Sequence, residues 1–213
     1  PKHLTENEYE RLVKTVLAQT SGSTLTMTAE RAWFLTLAHT GMRVNEMLDL
    51  RLADLDLNTG RIFIASPKNR TDRLAFITPA LAEALQHYLA LRLPTDDDHL
   101  WRCGELMPNY EMIRRRLHKW GKLCGVSVTA HRLRHTFATR LLNRGMSLES
   151  IRKLLGHTSL QMSQHYARLY DSTVKTQFEL TSAALDGIAV ADWPAYATTP
   201  FFTQIAATNA DSV

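Results

Sequence analysis

Residues 129–141 read "TAHRLRHTFATRL", and their first half crowds His131, Arg132, Arg134 and His135 into five positions. From Phe137 onward the apolar residues Phe137, Ala138, Leu141 and Leu142 recur at helical spacing, which predicts an amphipathic helix over about 131–144. His131 and Arg134 are three residues apart and therefore neighbours on one face of that helix. Cationic donors gathered in this way repel one another unless an anion sits between them. The identity of that anion is the question the rest of the sequence answers.

Outward from this helix the chain reads as mainly helical. "LTENEYERLVKTVLAQTSG" opens with a capping box, Thr5 followed by Glu8, and closes at Ser21-Gly22-Ser23. "TAERAWFLTLAHTG" predicts a largely buried second helix that ends at Gly41, and "MRVNEMLDLRL" predicts a short third one. The period then changes from helical to alternating. "LADLDL", "RIFIAS" and "RLAFIT" are three strand-like runs separated by Asn58-Thr59-Gly60 and Pro67-Lys68-Asn69, which predicts a small antiparallel sheet. Thr78-Pro79 caps and starts the next helix, "ALAEALQHYLALR", and the acidic "PTDDDH" is a loop. Further helices are expected at about 109–123, 147–155 and 159–170, with stops at Gly125, Gly145 and Gly156. The fold class is α+β, mainly α-helical with a small three-stranded antiparallel sheet.

A chain of 213 residues can bury one sizeable core. No early basic-then-apolar stretch resembles a signal peptide, and no apolar run approaches a membrane span, so a cytoplasmic protein with no membrane partner is expected. Two cysteines, Cys103 and Cys124, lack metal-ligand spacing and read as small buried hydrophobes. Residues 102–168 hold thirteen Lys and Arg against three Glu, although the whole chain carries only +4. Segregation on that scale points to a polyanion, most commonly nucleic acid. After Gly187 the composition shifts: Asp192 and Asp211 are the only charges in a run rich in Ala, Thr, Pro and aromatics. That tail reads as either a docking segment or a disordered end.

His131 and His135 have the i, i+4 spacing of helical zinc ligands, yet Arg132 stands where a metalloprotease helix needs Glu. Three carboxylates across the basic window also poorly supply a two-metal nuclease. No glycine-rich phosphate loop, Gly-x-Ser-x-Gly elbow or cysteine beside a base is present. A metal-free phosphate site remains, in which arginine forks donate to phosphate oxygens and offset the charge of a pentavalent transition state. "LLGHTSLQMSQHYARLY" supplies His157 and, nine residues later, Tyr166 as a nucleophile.

In order along the chain, "TGMRVNE", "SPKNRTDR", "HRLRHTFA", "LLGHTSL" and "QHYARL" resemble the tyrosine recombinase, or phage integrase, family over about residues 4–180. The resemblance implies that fold's catalytic domain over residues 1–180, followed by a tail at 181–213. It implies that Tyr166 attacks the scissile phosphate to give a 3′-phosphotyrosine, with Arg43 and Arg134 on the non-bridging oxygens. His131 would handle the tyrosine proton, His157 would hydrogen-bond the phosphate, and Lys68 would protonate the leaving 5′-oxygen. Glu46 would orient its neighbours, and His135 would brace the helix. Arg70, Arg114, Arg115, Arg116, Lys119 and Arg132 are the expected DNA-backbone contacts, with Arg70 and Arg73 as basic rivals of Lys68. Tyr170 is a rival nucleophile at the wrong spacing from His157. Asn45 departs from the small residue common between the family's arginine and glutamate, and Gln164-His165 departs from the usual threonine before the tyrosine.

The same resemblance implies no cofactor and no metal, double-stranded DNA at a specific recombination site as partner, and a homotetramer assembled on DNA through the C-terminal segment. Strand exchange would then pass through a Holliday junction, in a nucleoid-associated integrase or resolvase of a mobile element. Family members carry an N-terminal DNA-clamping domain, and nothing before Leu4 could be one, so an isolated catalytic domain is expected. Two alternatives stay open: a type IB topoisomerase-like DNA-relaxing enzyme, and a non-catalytic DNA-binding module of the same fold.

Overall fold

A computed structural model describes residues 3–65, 72–94, 97–102 and 107–156. The chain divides into two compact units, residues 1–138 with 153–156, and residues 139–152 with 157–213. Of the second unit, 139–152 are described; they hold the end of one helix, a turn through Gly145 (φ 87°) and the start of the next. The expected helix at 159–170 and the tail beyond it lie outside the described residues.

The first unit begins with α1 (Glu6–Gln19), and its capping box forms as the sequence predicts. Thr5 Oγ1 accepts from the Glu8 N–H at 3.2 Å, and Glu8 Oε2 accepts from the Thr5 N–H at 2.8 Å. Helix α2 (Leu25–Thr40) is buried along most of its length, and its run Ala32–Ala38 is apolar but for Thr36. It packs against α4 (Pro79–Leu91), while α1 packs against α5 (Tyr110–Cys124). α5 is amphipathic, with Ile113, Leu117, Trp120 and Gly121 turned inward. The core gathers three fully buried tryptophans. Trp33 stacks on Trp120 at 5.1 Å, and Trp101 stacks on Tyr88 at 5.6 Å while its indole N–H donates to the Met47 carbonyl at 2.7 Å.

Two expected elements are shorter than their sequence pattern. "MRVNEMLDLRL" forms only α3 (Val44–Leu48), because Arg43 is extended at its N-cap and Leu50 and Arg51 leave the helix to meet the segment 98–100. "LADLDL" starts as a tight 3-10 turn at Leu52–Asp54, closed by the Asp54 carboxylate on the Arg51 N–H at 2.9 Å. Only Leu55–Asp56 pairs, as β1, with β2 (Arg61–Ile64). β3 (Arg73–Phe76) completes an antiparallel sheet in the order β1-β2-β3, with Ile62 opposite Ala75 and Ile64 opposite Arg73.

Helices α6 (Ala130–Asn143) and α7 (Leu148–Leu155) follow within two residues of their expected bounds. No described helix is long and apolar enough to cross a membrane. Cys124 is half-buried rather than buried because it sits on the last turn of α5, where its thiol donates to the Gly121 carbonyl; Cys103 lies outside the described residues.

Candidate active site

The site starts from the end of α2. Gly41 closes that helix at φ 62°, a conformation that suits glycine because it lacks a Cβ. The chain then turns straight into α3, with Arg43 as its N-cap residue. Glu46, three residues on, reaches back so that its Oε2 accepts the Arg43 backbone N–H at 2.7 Å. Its Oε1 accepts Arg43 Nη1 at 2.8 Å, so one carboxylate fixes both the backbone and the side chain of Arg43.

Arg134 approaches from α6 and is buried, its side chain 5 % exposed. Its guanidinium donates to two carbonyl oxygens that close helices: Gly41 at 2.6 Å and Leu155 at 2.5 Å. The last carbonyls of a helix lack intrahelical partners and carry partial negative charge, so an arginine is held there with both geometry and charge in its favour. Arg134 Nη1 also lies 4.0 Å from Glu46 Oε2.

A third arginine joins from β3. Arg73 was a basic rival to Lys68 on sequence, but its side chain is buried against Glu46. Nη1 donates to Oε1 at 3.1 Å and Nη2 to Oε2 at 2.5 Å, while Nε donates to the Leu154 carbonyl at 2.9 Å. Burial alone would push the Glu46 carboxyl up. The Arg73 fork, the Arg43 N–H and the Arg43 side chain outweigh it and hold the carboxyl down at about 2. Glu46 is therefore ionised at any working pH.

In front of Arg43, Glu46 and Arg134 lies a cavity of about 370 Å³. Arg43, Glu46, His131 and Arg134 line it, together with Asn45, Asp49 and Tyr110, which the sequence did not single out as site residues. His131 stands at its exposed side. Its Nε2 is 2.8 Å from Nε2 of the buried His135, one turn along α6, and the rings meet edge to face. In such a contact one ring donates and the other accepts, so a hydrogen bond joins the two imidazoles. His135 thus touches His131 directly.

Lys68, Arg70, His157, Tyr166 and Tyr170 lie outside the described residues. The expected DNA-facing set divides. Arg114 and Arg115 are exposed on α5, Arg114 forking onto Glu111 at 2.7 and 2.8 Å, and Lys119 is exposed as well. Successive residues of a helix point about 100° apart, and Arg116 turns instead to α2, its Nε 2.6 Å from the buried Glu30 carboxylate. Arg132 is likewise taken up internally, donating to the carbonyls of Ser127 and His3 with Glu8 3.7 Å away.

Among the described residues, Asp97, Asp98 and His99 bring metal-type donor atoms within 4.8 Å of one another. Asp97 accepts from His99 Nδ1 and from Arg102 Nη2, both Asp98 oxygens accept from Arg51 Nη1, and none of the three lines the cavity.

The phage integrase family profile matches residues 2–173. Tyrosine recombinase XerA of Pyrococcus furiosus is 32% identical over 184 residues, covering 84% of this chain and 61% of that protein. Tyrosine recombinase XerC of Thermodesulfovibrio yellowstonii is 33% identical, covering 79% of this chain and 58% of that protein. The chain thus spans about three-fifths of the length of these relatives. Among solved structures, a XerA recombinase superposes with a TM-score of 0.71 at 33% identity, covering 84% of this chain and 64% of that one. XerH site-specific recombinase bound to its difH substrate superposes at 0.68 with 26% identity, covering 81% and 52%. The catalytic domain of bacteriophage HP1 integrase, at 19% identity and a TM-score of 0.56, shares the fold.

Proposed function

The chain belongs to the phage integrase family, and we propose that it cleaves and rejoins double-stranded DNA, its cavity receiving the scissile phosphodiester. The observation that carries this reading is the convergence of Arg43, Arg134 and His131 on one cavity. Arg43 lines that space with a part-exposed side chain, and Arg134 brings a buried charge to its wall. Together they suit the two non-bridging oxygens of a phosphodiester, whose charge grows in the pentavalent transition state.

The reaction runs as a transesterification. The Tyr166 hydroxyl oxygen forms a bond to phosphorus as the bond from phosphorus to the 5′-oxygen breaks. The tyrosine proton passes to His131, whose hydrogen bond with His135 fixes which ring nitrogen faces the cavity. Lys68 gives a proton to the leaving 5′-oxygen, and His157 supports the phosphate by hydrogen bonding. The phosphotyrosine conserves the energy of the broken ester, so a 5′-hydroxyl restores the backbone by the reverse path. No metal or nucleotide enters. Arg70, Arg114, Arg115 and Lys119 serve the flanking backbone. Action at a specific site, tetramer assembly through the C-terminal segment, passage through a Holliday junction and a role in a mobile element belong to the same proposal, as does a cytoplasmic, nucleoid-associated location.

The test is covalent trapping. Nicked suicide duplexes of random sequence are incubated with the chain in EDTA, and protein–DNA adducts are isolated and sequenced. The expected result is an adduct that survives denaturation, maps to one sequence and disappears in Tyr166→Phe. Adduct formation only with added magnesium, or an undiminished adduct in Tyr166→Phe, would overturn the proposal.

A further inference from the structure

We infer that Arg73 is a positioning residue for Arg43, acting through Glu46, and that it sets the charge of the cavity; this rests on the reading of the cavity as a phosphodiester site. Each Glu46 oxygen bridges the two arginines. Oε1 accepts from Arg43 Nη1 and Arg73 Nη1, and Oε2 accepts from the Arg43 backbone N–H and Arg73 Nη2. A carboxylate held by a fork on one side has little rotational freedom left for its other lone pairs. The Arg43 side chain, 36% exposed, is therefore aimed by a group it does not touch.

Charge adds a second argument. The cavity wall carries Arg43 and Arg134 against Glu46 and the exposed Asp49, a balance too even to favour an anion. Arg73 is not part of the wall, yet its side chain is 8% exposed and lies directly on Glu46. It offsets that carboxylate from behind and leaves the wall net positive. Without it, Glu46 would draw on Arg43 and Arg134 alone, the two groups meant for the phosphate.

Placement adds a third. Arg73 opens β3, just past the segment that carries Lys68, and its Nε holds the Leu154 carbonyl two residues before Gly156. Gly156 has φ 61°, and a Cβ there would lie 3.1 Å from Arg73 Cδ, so the guanidinium stem packs on the turn that leads to His157. One side chain thus joins the Arg43 turn, the start of β3 and the end of α7.

The experiment uses Arg73→Met, Arg73→Lys and Glu46→Gln in the full chain, with two readouts. Inorganic phosphate is titrated against the nitrogen-15-labelled chain while the Arg43 side-chain N–H resonance is followed. Arg73→Met is expected to weaken phosphate binding about tenfold, and Arg73→Lys, which keeps the charge but not the fork, to recover part of it. Single-turnover cleavage of a trapped duplex then compares a phosphodiester with a neutral methylphosphonate at the scissile position. Arg73→Met should slow phosphodiester cleavage about 10- to 100-fold and methylphosphonate cleavage far less, because the neutral ester no longer needs Arg43. A folded Arg73→Met with unchanged phosphate affinity, or with both esters slowed equally, overturns the inference. If Arg73→Met does not fold, Arg73→Lys is read by the same two criteria. A chain that binds phosphate with the expected ranking of variants but forms no adduct with any duplex would refute the recombinase reading and leave the role of Arg73 standing.

Discussion

Replacing Glu46 by Gln keeps the shape of the side chain and removes its charge, which isolates what the ionised carboxylate does for the fold. Four hydrogen bonds converge on it, two from Arg73 and two from Arg43. They hold its carboxyl at about 2 in the folded chain, against an ordinary value of 4.5. A carboxyl whose folded value lies below its unfolded value contributes stability that is fully present above the unfolded value and is lost as pH falls through the folded one. At 1.36 kcal/mol per unit, the contribution is about 3 kcal/mol at pH 7, about 1 kcal/mol at pH 3 and nothing below pH 2. Most of it resides in the buried Arg73 fork, because Arg43 is more open to solvent, where ion pairs are screened.

The assay is urea unfolding of the unaltered chain and Glu46→Gln at pH 7, 5 and 3.5. The stability gap should be about 3 kcal/mol at pH 7, little changed at pH 5 and clearly narrower at pH 3.5. A gap of the same size at all three values would mean that Gln fails for shape or hydrogen-bond direction, and the electrostatic reasoning would fall.

The remaining expectations use other parts of the molecule. Burial pushes the Glu30 carboxyl up despite Arg116, so its ionised form opposes folding at neutral pH and that cost fades as the group protonates in acid. Glu30→Gln should therefore leave urea stability at pH 7 unchanged or raised. Arg116→Met, which strands the carboxylate, should lose about 1–3 kcal/mol, with a smaller loss at low pH. Gly41→Ala should cost more than Gly156→Ala. Both residues have positive φ, a penalty of about 1–2 kcal/mol, but a Cβ at Gly41 would also lie 2.5 Å from Phe137 Cδ1. Equal losses on unfolding would remove the packing half of that argument. On DNA, Arg114→Ala with Arg115→Ala should reduce the salt slope of binding by about 1–2, whereas Arg116→Ala should leave it unchanged; an altered slope for Arg116→Ala would place that residue on the backbone after all.

Much of the fold was legible because local signals and tertiary packing agree. Thr5 with Glu8, Thr78 with Pro79, and the glycines at 41, 125, 145 and 156 mark helix ends where the structure has them. The readings that ran long, "LADLDL" and "MRVNEMLDLRL", meet at Leu50–Asp54. Their leucine pattern continues past the point where the backbone is captured, by the segment 98–100 at Leu50 and Arg51 and by the Asp54 carboxylate at the Arg51 N–H. Periodicity counts apolar residues and is blind to which carboxylate will reach back to an N–H.

The same blindness limits the site. Arg43, His131 and Arg134 stand out because they are cationic groups in compact boxes, and all three line one cavity. Arg73 sits in a run that also holds Lys68 and Arg70, so its charge looks like one more contribution to a basic loop. Strand parity separates it: Arg73 alternates with Leu74 and shares a face with the buried Ala75, and its cross-strand partner is the buried Ile64. An arginine on the inward face of a strand must find a buried anion, and Glu46, expected only to orient its neighbours, is the carboxylate that Arg73 finds. Arg116 and Arg132 carry the converse lesson. Charge segregation along a sequence locates a positive region, but each arginine there answers first to any buried carboxylate or carbonyl within its reach, and only those left over are available to a nucleic acid.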